Sequence, residues 1–485
     1  DPDVIRVEDT YYMVSTTMHF MPGCEILQSF DLVHWEHVTY VYETLDHTDA
    51  QQLKSGQNIY GQGMWAASLR YHEGRFYICF VANDTRKTYL YTSEKIDGPW
   101  KKQLIEGFYH DGSLLFDEDG RNYIVYGNDE IWITELNEDL TAPKKDGLHR
   151  LLVSDHKNPE LGYEGSHIQK INGYYYIFLV HSLRDRWMRT EACFYSDSLE
   201  GEFTGGDVLC DDRGYCGQGV AQGGIVDTPD GKWYAMLFQD SGAVGRIPIL
   251  LPVTWKDHFP FFGQNGHVPE EIEVHSTRPG YIYQPLVGSD DFCNGLLPRW
   301  QFNHDPDPRY YHLDALQGTY TITTREVCTE LTQAVNTLTQ RMSYPSCAAE
   351  VTVDASALKE GDVAGLCALQ GCYAAVGITK HHGKYEVLML DKKEDGILDM
   401  TEGTVVESHQ MDFRLEADFC NMKDEARCYY RVNKGDWLPI GTVHKLYFKL
   451  DHFTGCRFGL FCYAAEETGG SACFRDFKYY DVDEI

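Results

Sequence analysis

An all-β chain in two parts, a five-bladed β-propeller over residues 1–287 and a β-sandwich over residues 288–485, is what three features of this sequence predict. Short alternating apolar stretches separated by Gly, Asp and Asn turns run throughout, and helical periodicity is scarce. A four-residue pattern recurs five times in the first part. Near residue 288 that recurrence stops while the strand pattern continues.

The recurring pattern is a turn residue, any residue, usually an aromatic, then Tyr, followed by an apolar strand. It reads Asp9-Thr10-Tyr11-Tyr12, Gly74-Arg75-Phe76-Tyr77, Gly120-Arg121-Asn122-Tyr123, Gly173-Tyr174-Tyr175-Tyr176 and Gly231-Lys232-Trp233-Tyr234. The final tyrosines are 65, 46, 53 and 58 residues apart, the spacing of propeller blades with several strands each. A lone blade cannot bury both faces, so blades stack in a ring and leave short edges. After Asp290-Asp291-Phe292 come nearly 200 residues of strands without that period, which predicts a sandwich. A length of 485 residues also exceeds what one core usually supports.

The repeat has an upstream half. Twelve residues before each final Tyr stand Trp65, Asp111, Glu164 and Gln222, and eleven before Tyr12 stands Asp1. Each precedes a short apolar strand. If that strand is the innermost of its blade, the five positions converge on the propeller axis, and three of them are carboxylates. Converging carboxylates repel, and burying them unpaired costs several kcal/mol in rough terms, so the clustering argues for function rather than for turn chemistry, which Asp-Pro, Asp-Gly and Glu-Gly pairs would singly suggest. The neighbouring Asp117, Asp119, Asp227 and Asp230 adjoin turn glycines and are expected to be solvated turn residues.

These residues resemble glycoside hydrolase family 43, the β-xylosidase and α-L-arabinofuranosidase family, over most of the chain. Asp1-Pro2-Asp3-Val4-Ile5 before Asp9-Thr10-Tyr11-Tyr12 is similar to the family's opening segment, and Met64-Trp65-Ala66-Ala67 to its Trp-Ala segment. His110-Asp111-Gly112-Ser113 before Asp117-Glu118-Asp119-Gly120, Glu164-Gly165-Ser166-His167, and Val244-Gly245-Arg246 match three further segments. The resemblance implies Asp1 as general base, Glu164 as general acid and Asp111 as the group that tunes its pKa, with an ionised Asp111 expected to raise Glu164. It implies Trp65 and Arg246 as substrate contacts. Phe20, His19, His167 and Gln222 are further candidates for the pocket wall. It also implies a concanavalin-like C-terminal sandwich that lends a loop to the pocket. No cofactor is required; a structural calcium on the propeller axis is the one metal it brings in, and Gln222 stands where several members carry His.

The remaining composition narrows the partners. A formal charge of −32 without a basic cluster disfavours nucleic acid, anionic membranes and polyanionic substrates, and a neutral oligosaccharide fits best. Aromatic residues at 13% suit sugar stacking. No apolar run reaches membrane-spanning length. Fifteen cysteines without metal-type spacing read as buried thiols of a reducing compartment, the cytoplasm. A segment preceding Asp1 is expected, which leaves secretion open, and self-association is compatible with the sequence. The Gly-rich stretch from Gly217 to Gly224 lacks the Lys-Ser/Thr of a phosphate loop, and His381-His382 reads as an exposed turn. The predicted activity is exo-acting, inverting removal of terminal β-D-xylose or α-L-arabinofuranose from xylan-derived oligosaccharides. A non-catalytic sugar-binding propeller is the alternative, or another five-bladed enzyme such as a glycoside phosphorylase; the Trp-Met-Asn-Asp-Pro and Arg-Asp-Pro signatures of fructosidases are missing.

Overall fold

The computed structural model describes residues 1–401 and 403–481. Its first part holds five four-stranded antiparallel sheets, each a meander in chain order. The inner strands are Asp3–Val7, Met64–His72, Ser113–Phe116, Glu164–Ile171 and Gly224–Asp227. Each turns tightly into a strand that carries the repeat, and there the repeat tyrosine keeps nearly one register. Tyr12 lies opposite Ile5, Tyr77 opposite Arg70, Tyr123 opposite Leu115, Tyr176 opposite Gln169 and Tyr234 opposite Val226. In four of the five turns the reversal rests on a glycine of positive φ, Gly74, Gly120, Gly173 or Gly231, the conformation tight hairpin turns demand.

Apolar faces of successive sheets pack together in five separate cores around the ring. Val14, Ile26, Leu69 and Phe80 join blades one and two, and Cys79, Leu90, Leu114 and Ile124 join two and three. Val125, Ile133, Ile168 and Ile177 join three and four, while Phe178, Cys193, Ile225 and Leu237 join four and five. Val4, Met13, Val226 and Tyr234 close the ring. Each fully buried aliphatic contributes roughly 1.5–3 kcal/mol. The closing seam is reinforced where Arg6 pairs with Asp227, and where the segment after blade five crosses back over blade one: Thr277 Oγ1 donates to the Asp9 carbonyl at 2.6 Å, and the Phe30 N–H donates to Tyr283 Oη at 2.8 Å.

Two of the expected turn carboxylates therefore have other work. Asp227 holds the seam. Asp117 is buried, accepting from Lys170 Nζ at 2.6 Å and from the Tyr175 hydroxyl at 2.5 Å, so it ties blade three to blade four. Asp119 and Asp230 are exposed, as expected of turns.

The second part is a sandwich of a seven-stranded and a nine-stranded sheet around Phe302, Val351, Leu366, Phe413, Phe458 and Phe474. The nine-stranded sheet takes one strand from the propeller. Phe20–Met21 leaves blade one and pairs with Gln301–Asn303, placing Phe302 opposite Met21 and Asn303 opposite Phe20. His19 and Phe20 are consequently fully buried between the two parts rather than in a sugar pocket. The Arg457 guanidinium lies 3.6 Å from the Phe20 ring centre. His19 packs against His304 and His452 of the sandwich at centroid distances of 4.8 and 5.2 Å.

Candidate active site

Three blades deliver the three carboxylates to one mouth of the propeller by different local means. Asp1 enters immediately before the first inner strand. Asp111 sits two residues before the third inner strand in left-handed backbone, φ 47°, a conformation Asp tolerates better than most residues. Glu164 opens the fourth inner strand, where a bulge follows: Glu164 pairs with Val180 and His167 with Phe178, so two residues face one. The second blade has the same irregularity between Met64 and Ala67, which brings Trp65 to the mouth. Bulges of this kind re-aim side chains. Gly165 lets the fifth axial residue in: a Cβ there would lie 2.2 Å from Gln222 Cδ.

Asp1, Trp65, Asp111, Glu164, Gln222 and Arg246 line one cavity of about 270 Å³ with His110, Asn128, Arg189 and Phe453; Leu161, Trp187 and Leu450 complete it. Trp187 and Leu450 are substantially exposed. The sandwich closes one side. The loop before Arg457–Ala464 approaches the turn Gly242–Val244, with the Cys456 N–H donating to the Ala243 carbonyl at 2.8 Å. That approach needs Gly245 and Gly455, since a Cβ on Gly455 would meet the Val244 carbonyl oxygen at 2.0 Å. It seats Phe453 edge-on to Trp65 at 5.5 Å and over the Arg246 guanidinium at 4.3 Å. His167 takes no part: it is buried below the pocket floor, with Nδ1 3.1 Å from Asp3 Oδ1.

The charges are organised in two sets. Arg246 pairs with Asp1 and donates through Nε to Asp240 Oδ1 at 3.2 Å; Arg189 Nε donates to Asp240 Oδ2 at 3.1 Å. Asp1 Oδ2 accepts from Thr16 Oγ1 at 2.7 Å. Asp1 is thus a fixed carboxylate compensated by a guanidinium. The second set is Asp111, Glu164 and His110. Asp111 Oδ2 accepts from the Gly165 N–H at 3.1 Å, and Glu164 Oε2 accepts from Asn128 Nδ2 at 2.8 Å. His110 Nε2 lies 3.6 Å from a carboxylate oxygen of each.

Here the protonation differs from the sequence expectation. Burial, then the Glu164 charge, raise Asp111 above its ordinary value despite the nearby His110. Burial also pushes Glu164 upward, but contact with His110 and the charges of Arg189 and Arg246 outweigh it and hold Glu164 below its ordinary value. The Asp111 charge, with the Glu164 contact, raises His110 to about 9 against burial. Like charges alone would raise Glu164; the histidine one residue from Asp111 reverses the sign.

Metal chemistry has two conceivable seats. His110, Asp111 and Glu164 present ligand atoms within 4.8 Å of one another, a set that a divalent transition ion could take only at the expense of the carboxylates. On the axis below, Asp3 Oδ2 accepts from Arg70 Nη1 and from the Leu69 N–H at 2.8 and 2.7 Å. Arg70 also donates to the Leu114 carbonyl at 2.8 Å and to Ser113 Oγ at 2.6 Å. A guanidinium therefore engages the axial oxygens, which among the described residues do not make the six- to eight-oxygen cage of calcium. A second cavity, about 410 Å³ and lined by Arg6, Arg70, Lys170 and Asp227 with His72, Gln169 and apolar residues, opens at the other end of the axis. Arg6 pairs with Asp227, Arg70 with Asp3 and Lys170 with Asp117.

The model of glycosyl hydrolases family 43 matches residues 1–260, and that of the β-xylosidase C-terminal concanavalin A-like domain matches residues 289–480. The chain belongs to glycosyl hydrolase family 43. A solved structure of a bifunctional GH43-CE from Bacteroides eggerthii is 42% identical with a TM-score of 0.91, covering 99% of this chain and 62% of its own length. This chain therefore spans somewhat under two thirds of that relative. A family 43 glycoside hydrolase engineered to display both endo-xylanase and exo-arabinofuranosidase activity is 27% identical over 99% of this chain and 97% of its own, with a TM-score of 0.86. A β-xylosidase of Formosa agariphila is 26% identical over the whole of this chain and 87% of its own length. Among the described residues of this family 43 hydrolase no helix is long and apolar enough to cross a membrane.

The positions that sequence reasoning missed are instructive. His110 was legible as the neighbour of Asp111. Asp240 and Arg246 pair directly across adjacent strands, a relation that strand alternation could have found. Arg189, Asn128 and Phe453 carry no sequence signal of their own; the stacking of blades and the docking of the sandwich bring them in.

Proposed function

We propose that the protein is an exo-acting glycoside hydrolase that releases terminal β-D-xylose or α-L-arabinofuranose from neutral xylan-derived oligosaccharides with inversion. The observation that carries this reading is the convergence of Asp1, Asp111 and Glu164 from three blades on one small cavity walled by Phe453. A volume of about 270 Å³ lies just below the range typical of drug-sized ligands, which suits a terminal sugar rather than a long chain. The names of the relatives, a β-xylosidase and an enzyme with exo-arabinofuranosidase activity, support the substrate class.

In this mechanism Asp1 takes a proton from the water that attacks the anomeric carbon, and Glu164 gives one to the departing glycosidic oxygen. Arg246, clamped between Phe238 and Phe453 at 4.5 and 4.3 Å, fixes the Asp1 carboxylate and presents donors to sugar hydroxyls. Trp65, whose Nε1 is buried without a partner among the described residues, supplies an apolar face and one donor. Fifteen unpaired cysteines favour a reducing compartment as its place of work. Proton NMR of the first-formed sugar tests the reading. A β-xyloside should yield α-xylose first; net retention overturns the mechanism, and release of neither pentose from its aryl glycoside overturns the substrate class.

A further inference from the structure

A carboxyl that protonates a leaving group must hold a proton at working pH, yet the charges around Glu164 favour its ionised form. His110 answers this difficulty. Its Nε2 stands 3.6 Å from Glu164 Oε2 and 3.6 Å from Asp111 Oδ2, is buried, and has no hydrogen-bond partner among the described residues. The Gly127 N–H donates to the His110 carbonyl at 3.0 Å, and the Trp65 ring lies 6.1 Å away. Asp111, Glu164 and Arg86 are the charged groups that act on His110, while Arg189 and Arg246 act on Glu164 from blades four and five.

Imidazolium with carboxylate, and neutral imidazole with carboxylic acid, carry the same total charge and differ by one proton moved across one contact. When groups interact this strongly the proton belongs to the set, not to either member. Taking the general-acid reading of Glu164 as given, we infer that His110 is the proton reservoir of the acid step, passing its Nε2 proton to Glu164 Oε2 as the glycosidic oxygen draws on that carboxyl. The balance is simple. The Nε2–H bond breaks as the Glu164 O–H bond forms; Glu164 then protonates the leaving oxygen, which departs with the electron pair of its C–O bond. Asp1 takes the proton of the attacking water and returns it to solvent, and solvent reprotonates His110, so one water is consumed and no net proton.

Substrate entry supplies the bias. Excluding water from the pocket penalises separated charges more than the neutral pair, which moves the proton toward Glu164 when it is needed. The elevation of His110 to about 9 means that the set keeps this proton through neutral pH. His110 is thus a positioning residue for the proton, acting through Glu164.

The test compares the full chain with its His110→Gln variant, which keeps a donor but cannot titrate, in kcat/KM against pH. Two substrates are used, xylobiose and 2,4-dinitrophenyl β-D-xyloside, whose leaving group needs no proton; arabinofuranosides replace both if the parent prefers that pentose. On the natural linkage the alkaline limb of the variant should move down by about one pH unit or more, with a loss of about tenfold at pH 8. That loss should exceed the loss on the activated glycoside by about tenfold. An unmoved alkaline limb, or equal losses on both substrates at every pH, overturns the inference. His110→Asn serves in the same comparison if His110→Gln loses its native thermal transition. Failure of the underlying reading gives a different result: a parent inactive on every pentoside, or a fully active Glu164→Gln variant.

Discussion

Substituting His304 by Asn perturbs the buried interface between propeller and sandwich at one titratable group. His304 is fully buried; its Nε2 accepts from the Ile59 N–H at 3.0 Å and its Nδ1 lies 3.3 Å from Asn303 Oδ1. Protonating Nε2 would set its N–H against the Ile59 N–H, and burial, then His452, lower its pKa to about 3 from 6.5. The unfolded chain therefore binds a proton below pH 6.5 that the folded protein refuses. This contribution to stability is intact above 6.5 and is lost as pH falls toward 3, at about 1.4 kcal/mol per pH unit. At pH 5 the parent has lost about 2 kcal/mol through this group. Asn does not titrate and tolerates the left-handed backbone at this position, φ 71°. At pH 7.5 the variant should be less stable by about 1 kcal/mol or more for the lost hydrogen bond. By pH 5 the difference should shift by about 2 kcal/mol in the variant's favour, enough to reverse a deficit of about 1 kcal/mol. Urea unfolding of both proteins at the two pH values reads the difference. Asp305, raised to about 6 chiefly by burial, gains stability as pH falls over part of the same range, so the parent–variant difference is diagnostic and the parent's own curve is not. A gap that stays constant with pH refutes the argument that this buried ring stays neutral.

Three further outcomes follow from the site. Glu164→Gln should cut kcat/KM on xylobiose by about 10²–10⁴-fold while calorimetry still detects xylobiose binding. Phe453→Ala should raise KM through the lost wall and lower stability by about 3–5 kcal/mol, the range for buried Phe truncations, read by substrate saturation and denaturant midpoint. Arg70→Met should lower the thermal midpoint by leaving the buried Asp3 without its guanidinium, with only His167 and the Leu69 N–H beside it, a change worth up to about 3–5 kcal/mol; EDTA should leave the parent's midpoint and activity where they were, and a chelator-induced loss would restore calcium to the axis.

Local pattern carried a large part of this protein. Strand alternation and five turn–Tyr segments, four of them with an aromatic before the Tyr, announce a ring of five hairpin-built sheets, because a tight turn and a fixed register leave the chain few other ways to bury the apolar faces. Counting back from each tyrosine reached Asp1, Trp65, Asp111, Glu164 and Gln222, and all five line the same cavity. That worked because hairpin pairing converts sequence spacing into spatial register. What depends on neighbouring elements was out of reach. Phe20 looked like a sugar contact, but its backbone pairs with a strand some 280 residues later. Asp117 looked like a surface turn until blade four placed Lys170 and Tyr175 against it.

The protonation of the site shows the division most clearly. The residues and the register of the three carboxylates, Asp1, Asp111 and Glu164, were all written in sequence, since each is a local consequence of where a strand begins. Which carboxyl carries a proton depends on charges summed across blades: His110 beside Asp111, and Arg189 and Arg246 from blades four and five, in a pocket walled by Phe453 of the sandwich. Electrostatic energy in a buried pocket falls off with distance through space, not along the chain, and only the folded protein sets those distances.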